Sequence, residues 1–211
     1  MFNDRYGLTN SVIERYKKQT RRIEKSLAGI EDAIDNLGFT RFEYKPNGVC
    51  WLWDDKTNTF LEYVPRYKVG EVVAVAQSYE TINETFFDSG NPLRFYHKQQ
   101  SEALAGWKNK MFVKAELMPH QIRITNVRIE RLQDISEEDC IKEGVLLNTR
   151  QYEYDGTKRY CVDGIKYWRG IGLTQFDTAR EAYAVLIDKV SGKETWDSNP
   201  YVFVYDFELI K

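Results

Sequence analysis

Residues 118–144 read MPHQIRITNVRIERLQDISEEDCIKEG and predict a β-strand that runs directly into a short acidic helix. Ile122 and Ile124 lie on one face of the strand, whereas the next apolar pair falls on the other face if the alternation is unbroken. A β-bulge at Thr125–Asn126 would return both pairs to the same side. Small closed barrels often use such a bulge to bend a strand around a corner.

The helix that follows this strand carries its own start and stop signals. Ser136 can accept a hydrogen bond as the N-cap, and Asp139 stands at the third helical position, close to a capping box. The acidic residues 137–139 favour the positive end of the helix dipole, and Gly144 can end the helix. We therefore expect a helix between Ser136 and Gly144.

The composition predicts a folded protein with an apolar core. Hydrophobic residues are 42% and aromatic residues 14% of the 211 residues, which makes global disorder unexpected. The net charge of -2 excludes a general polyanion-binding surface, so any contact with nucleic acid must come from a local patch. No apolar run approaches the roughly 20 residues that span a bilayer, and the first residues have no signal-peptide core.

Cysteine and histidine usage indicates a reduced compartment and no cofactor. The cysteines are Cys50, Cys140 and Cys161, an odd number without a C-x-x-C pair, which is typical of a cytoplasmic protein. With only His97 and His120 available, a zinc site is not expected.

Apolar periodicity and turn residues predict the remaining elements. Trp51 and Trp53 lie in phase on one arm of a hairpin, and residues 69–77 are apolar on both faces, as in a central strand. Helices are predicted over 8–18, 26–37 and 174–189, the hairpin over 47–64, and further strands over 111–118 and 201–209. Without repeats or linkers, one α+β domain over 1–211 with a small twisted β-barrel is the simplest organisation.

Four blocks of the sequence resemble the ASCH domain of the PUA-like superfamily, in the form carried by phages and bacteria. The resemblance implies a PUA-like small β-barrel with flanking helices, and insertions at about 24–65, 80–110 and 145–173. The blocks are Lys17–Arg22, similar to a G-x-K-T-x-T-x-R signature, Tyr67–Val75, residues 118–144, and Glu194–Val204, similar to a W-D-x-N-P-W-V-W-V ending.

The same resemblance implies a site. ASCH domains have a cleft between barrel and helices, many are inferred to bind RNA or modified nucleosides, and a bacterial branch hydrolyses the acetyl amide of 4-acetylcytidine with a Lys, a Thr and a Glu. By motif these residues are Lys17, Thr20 and Glu143. A partly buried Lys can lose its proton near pH 7 and activate a Thr hydroxyl, while a carboxylate passes a proton to the departing amine.

The chain departs from the family pattern at two places. It has no glycine before Lys17, and Lys18 stands where a Thr is common. Ala76 and Gln77 replace an Arg-Glu pair that ends the central strand in many relatives. These departures affect the expected enzymatic activity more than the expected fold.

Candidate ligand-binding residues each have a structural alternative. The basic run 17–22 can instead be a solvated helix end, and Glu143 can lie on the solvent face of its helix. Aromatic residues can belong to the core, although Trp107 beside Lys108 is a good candidate to stack on a base. The candidates are Arg21, Arg22, Gln77, Tyr79, Trp107 and Arg123.

The sequence is compatible with three functions. The first is a module that binds RNA or a single-stranded or modified nucleotide in a cationic cleft, without a membrane partner. The second is an amidohydrolase that removes an acyl group from a modified cytidine. The third is a phage-encoded interaction protein with no nucleic-acid role. Under each of the three, the protein is expected in the bacterial cytosol. The first two are expected to need a closed sheet that brings the basic turn to the acidic helix.

Overall fold

The computed structural model describes residues 2, 4–88, 106–111, 113–166 and 172–210, with only the backbone of 85–88 and 151. The strands are β1 Gln19–Arg22, β2 Arg41–Tyr44, β3 Cys50–Asp54, β4 Thr59–Tyr63, β5 Val72–Ala74, β6 Gln121–Arg131, β7 Leu146–Leu147, β8 Tyr160–Cys161 and β9 Tyr201–Leu209. The helices are α1 Leu8–Ile13, α2 Ile30–Asp35, α3 Tyr79–Asp88, α4 Glu137–Lys142, α5 Thr149–Asp155, α6 Ala179–Ser191 and α7 Thr195–Ser198. Short 3-10 helices span Asp4–Tyr6, Lys25–Leu27, Ala115–Leu117 and Leu132–Asp134.

Strand β9 is the centre of the molecule because both of its faces are buried. The largest sheet has the order β1-β9-β6-β5, and its neighbouring strands are antiparallel. Val202 and Val204 enter a core shared with α4 and α6, whereas Phe203 and Tyr205 enter a second core on the opposite face. The predicted alternation in β9 therefore places the aromatic residues correctly, but the valines between them are buried as well.

The bulge in β6 is confirmed. The pairing of β6 with β9 shifts register between Ile124 and Asn126, and the apolar residues on both sides of the shift are buried in the same core. Helix α4 also begins and ends as predicted. The Ser136 hydroxyl accepts a hydrogen bond from the backbone N–H of Asp139 at 3.1 Å, and Gly144 has a φ of 107°.

The α+β prediction is confirmed, but the strands within the described ranges form open sheets and no closed barrel. The predicted central strand over 69–77 is wrong. Only Val72–Ala74 pairs, and it pairs with β6 alone, which makes β5 an edge strand. The apolar run continues because Ala76 packs against Ile82 of α3, outside the sheet. The two edge strands of the large sheet, β1 and β5, therefore do not pair with each other, and the sheet stays open.

Several other boundaries differ from the sequence predictions. The first helix ends at Ile13, so the basic run leads into strand β1 instead of forming a helix end. Residues 115–117 form a 3-10 helix where a strand was expected. The last long helix begins at Ala179 because Phe176 pairs with Tyr160 in a β-bridge.

The three segments expected as insertions contribute to the cores. Within 24–65, α2 and the sheet of order β2-β3-β4 supply apolar residues to the second core, and the predicted hairpin is present. Val162 within 145–173 belongs to the first core. Within 80–110, Ile82 belongs to a third core, whereas residues 89–105, which include His97, lie outside the described ranges, as does Trp168. No helix in the described parts of the chain is long and apolar enough to cross a bilayer.

Candidate nucleoside-binding cleft

A cleft of about 1320 Å³ lies between the edge strand β1, helix α6 and the segment 106–111. Lys17, Thr20 and Glu143, the three residues implied by the family motif, all line it. A closed sheet was expected to bring the basic run to the acidic helix. The pairing of β1 with β9 and the contact of β1 with α4 achieve this without closure.

Lys17 and Glu143 form a buried ion pair at the wall of this cleft. The Lys17 side chain is 2% exposed, and its Nζ donates to Glu143 Oε2 and to the Glu143 backbone carbonyl, both at 2.6 Å. The backbone N–H of Lys18 donates to the carbonyl of Lys142 at 2.8 Å. These bonds fasten the C-terminal end of α4 to the residues before β1.

Burial lowers the pKa of Lys17 from its ordinary value of 10.5, and the attraction of Glu143 opposes this shift only in part. Arg21 and Arg22 add a smaller repulsion that also lowers the pKa of Lys17. The amine therefore loses its proton more readily than an exposed lysine does, which is the property required of a base.

Arg21 supports the site from behind instead of facing a ligand with its charge. Its fully buried guanidinium lies 3.4 Å from Glu143 Oε1, 3.0 Å from Glu130 Oε2 and 3.3 Å from Asp139 Oδ2. Arg128 shares Asp139 at 3.1 Å and so extends the network across β6. Because its charge is already compensated, Arg21 acts to hold the Glu143 carboxylate in place.

Three hydrogen-bond donors on residues that line the cleft have no partner. They are Nε of Arg21, Nε of Arg22 and the hydroxyl of Tyr183, all buried and unpaired within the described residues. Burial, with a smaller contribution from Glu143, raises the pKa of Tyr183 well above 10, so its hydroxyl keeps its proton. Leaving a buried donor unpaired costs about 1–3 kcal/mol, so such donors are normally bonded to an ordered water, an ion or a ligand. They indicate a ligand that presents acceptors.

The rim of the cleft carries positive charge that acidic side chains do not neutralise. Within the described ranges, the guanidinium groups of Arg22 and Arg66 lie within 4 Å of no carboxylate, whereas Lys110 pairs with Asp4 and Lys108 with Glu80. This is the local basic patch that a chain of slightly negative net charge would need to attract an anionic ligand.

The other candidates occupy different positions. Trp107 lines the cleft and stacks on Tyr79, with ring centroids 6.2 Å apart and planes 14° apart. Arg123 is an exposed residue of β6 paired with Glu208 at 3.1 Å, and it does not line the cleft. Gln77 is buried outside the cleft, and its Oε1 has no partner among the described residues.

Two residues that line the cleft, Tyr183 and Arg66, carry no signal in the sequence that predicts a site role. Tyr183 lies among the buried apolar residues of α6, and the only signal in the sequence that distinguishes it from them is its hydroxyl. Arg66 lies between two predicted elements, where nothing in the local pattern marks it as a site residue.

The described residues contain no cluster of at least three His, Cys, Asp or Glu side chains placed to hold a metal ion. Comparison with family models, curated proteins and solved structures found no match for this chain. The chemistry of the cleft is therefore the basis on which its function is inferred.

Proposed function

We propose that the cleft binds a nucleoside or nucleotide, with its base acceptors bonded to the donors of Arg22 and Tyr183. The unpaired donors along the cleft are the observation that carries this proposal. Pyrimidines offer carbonyl oxygens and a ring nitrogen as acceptors, and phosphates offer acceptors that also suit the cations of the rim. The blocks that resemble ASCH domains support the same ligand class.

The proposal is tested by calorimetric titration of cytidine, 4-acetylcytidine and cytidine monophosphate. Tyr183→Phe removes one donor and keeps the ring, so we expect about fivefold to tenfold weaker binding. Its stability should be unchanged or slightly higher, because the hydroxyl has no partner in the free protein. Tyr154→Phe is the control, since Tyr154 is 87% exposed on α5 and does not line the cleft. Absence of binding by all three compounds, or equal binding to both variants, contradicts the proposal.

A second candidate, hydrolysis of an acylated pyrimidine amide, is favoured by the lowered pKa of Lys17 beside Glu143. The neutral amine of Lys17 would take the proton of Thr20 as the Thr20 oxygen attacks the acyl carbon, and it would then pass that proton to the pyrimidine amine as the amide C–N bond breaks. Water would hydrolyse the acyl ester on Thr20, which releases the acyl group as a carboxylic acid and restores the hydroxyl. In the free protein Lys17 bonds to Glu143 twice, and Thr20 lies on the other side of β1 from Arg21, which also contacts Glu143. The mechanism therefore requires the amine to leave Glu143 and to reach Thr20 around the edge strand once the substrate is bound.

Release of cytidine from 4-acetylcytidine, followed by absorbance, separates this activity from simple binding. Turnover should increase with pH along a titration curve whose midpoint, the pKa of Lys17, lies below 10.5, because the neutral form of Lys17 is the base. Thr20→Ala should abolish turnover, and Thr20→Ser should retain a measurable part of it. If the unmodified protein binds 4-acetylcytidine without releasing cytidine, the hydrolysis candidate is wrong and the cleft only binds its ligand.

A further inference from the structure

A second cavity of about 190 Å³ opens beside the cleft. All four strands of the large sheet contribute to its walls, among them Thr20 of β1, Val73 of β5 and Phe207 of β9. Thr20 lies opposite Tyr205 in the β1–β9 register, so it shares the face of the second core and lies on the other side of β1 from Arg21. The cavity is the space that the unpaired edges β1 and β5 leave open.

The interior of this cavity is mostly apolar, and its polar groups lie on the side of the cleft. Thr20, Arg22 and Arg66 line both cavities, whereas most of the other walls are aliphatic or aromatic. The Tyr205 hydroxyl already donates to Glu24 at 2.7 Å, so it does not make the pocket polar. Arg22, with its unpaired Nε, lies where the two spaces meet. The apolar walls are Phe2, Val73, Ala74, Ala76, Ile122, Ile124 and Phe207.

The size of the cavity selects the group that would occupy it. An apolar protein cavity of about 150 Å³ takes up benzene, so a cavity of about 190 Å³ has room for a phenyl ring. An acetyl group, with three heavy atoms, would leave most of this space empty. The lost contacts would weaken its binding relative to that of a larger group.

We propose that this cavity holds an apolar substituent of the ligand, up to the size of a phenyl ring, while the polar head group occupies the cleft. The inference rests on the proposed function, and it narrows the ligand to a nucleoside that is substituted on its base with a bulky apolar group. Thr20 and Arg22 lie at the junction, where they can bind a polar link between the two parts.

Calorimetric titration of cytidine, 4-N-methylcytidine and 4-N-benzylcytidine tests this inference, because an amine link cannot be hydrolysed as an amide. We expect the benzyl compound to bind at least about tenfold tighter than the methyl compound. Val73→Phe, which enlarges a side chain on the face of β5 that carries Ile122 of β6 and the second core, should remove this difference between the benzyl and methyl compounds. Val72→Phe is the matched control, since Val72 is an exposed residue on the opposite face of the same strand and does not line the pocket.

Benzene alone tests the pocket without a nucleoside. It should raise the melting temperature of the unmodified protein and of Val72→Phe in a saturable way, but not that of Val73→Phe. Ile122→Phe provides a second filling variant if Val73→Phe does not fold. Equal binding of the three nucleosides without a benzene effect overturns the pocket and leaves the proposed function standing. Benzene binding without any nucleoside binding overturns the nucleoside head group and leaves the pocket.

Discussion

At the scale of single residues, the Lys17–Glu143 contact determines how the cleft is built. Both charges are buried, so removing one partner leaves the other without compensation. We predict that Lys17→Met lowers the free energy of unfolding by about 3–5 kcal/mol, measured by urea denaturation. The double variant Lys17→Met/Glu143→Gln should lose less free energy of unfolding than the two single variants lose together, because it removes both charges.

An exposed ion pair provides the control for this prediction. Arg123 and Glu208 lie 3.1 Å apart with about half of each side chain exposed. Arg123→Met should therefore cost no more than about 1 kcal/mol. A loss in Lys17→Met as small as that in Arg123→Met would show that the buried pair does not stabilise the fold.

Sequence patterns identify some of these residues and miss others for a physical reason. The motif identified Lys17 and Glu143 because a spacing of residue types is visible in the chain itself. The compensated charge of Arg21 and the unpaired hydroxyl of Tyr183 depend on which groups distant segments bring near them. Local sequence does not encode those neighbours, so Arg21 was expected to face the ligand and Tyr183 to be core.

At the scale of secondary structure, helix α4 delivers Glu143 although it has only six residues. A helix this short is unstable in isolation and depends on its caps and tertiary contacts. The Glu137 side chain accepts a hydrogen bond from the backbone N–H of Ala179 at 2.8 Å, which joins α4 to the start of α6. Unfolding of the first turn of α4 would therefore disturb both Glu143 and the start of α6, which lie on two walls of the cleft.

We predict that Ser136→Ala lowers the free energy of unfolding by about 1 kcal/mol, because the N–H of Asp139 loses its acceptor. The same variant should weaken ligand binding, since α4 positions Glu143. Ser136→Asn retains a capping side chain and should behave like the unmodified protein in both assays. Equal stability of the two variants, measured by urea denaturation, would show that the cap has no energetic role.

Elements with local signals were predictable, and those defined by packing were not. The bulge in β6 and the N-cap of α4 depend only on residues that are neighbours in the sequence, and both are present in the structure. The apolar run 69–77 was interpreted as a central strand because burial on both sides looks the same whether a sheet or a helix provides it. Ala76 packs against Ile82 of α3, a contact that strand periodicity does not reveal.

At the scale of the whole molecule, the largest difference between the prediction and the structure is that the sheet does not close into a barrel. Closure requires two edge strands to pair, and β5 provides only three residues for that purpose. The open edge creates the pocket beside Thr20, so the difference in topology has a functional consequence. The central strand β9 joins the two cores that lie on the two faces of the sheet.

Because β9 belongs to both cores, we predict that they unfold together, and two cysteines can report this. Cys50 lies in one core and Cys140 in the other, and burial raises the pKa of each thiol to about 12. Since only the thiolate reacts, about one thiol in ten thousand is reactive at pH 8, and the native protein should resist iodoacetamide. With increasing urea, pulse labelling followed by mass spectrometry should give the same midpoint for both cysteines. Labelling of Cys50 at lower urea than Cys140 would mean that the β2-β3-β4 sheet opens separately.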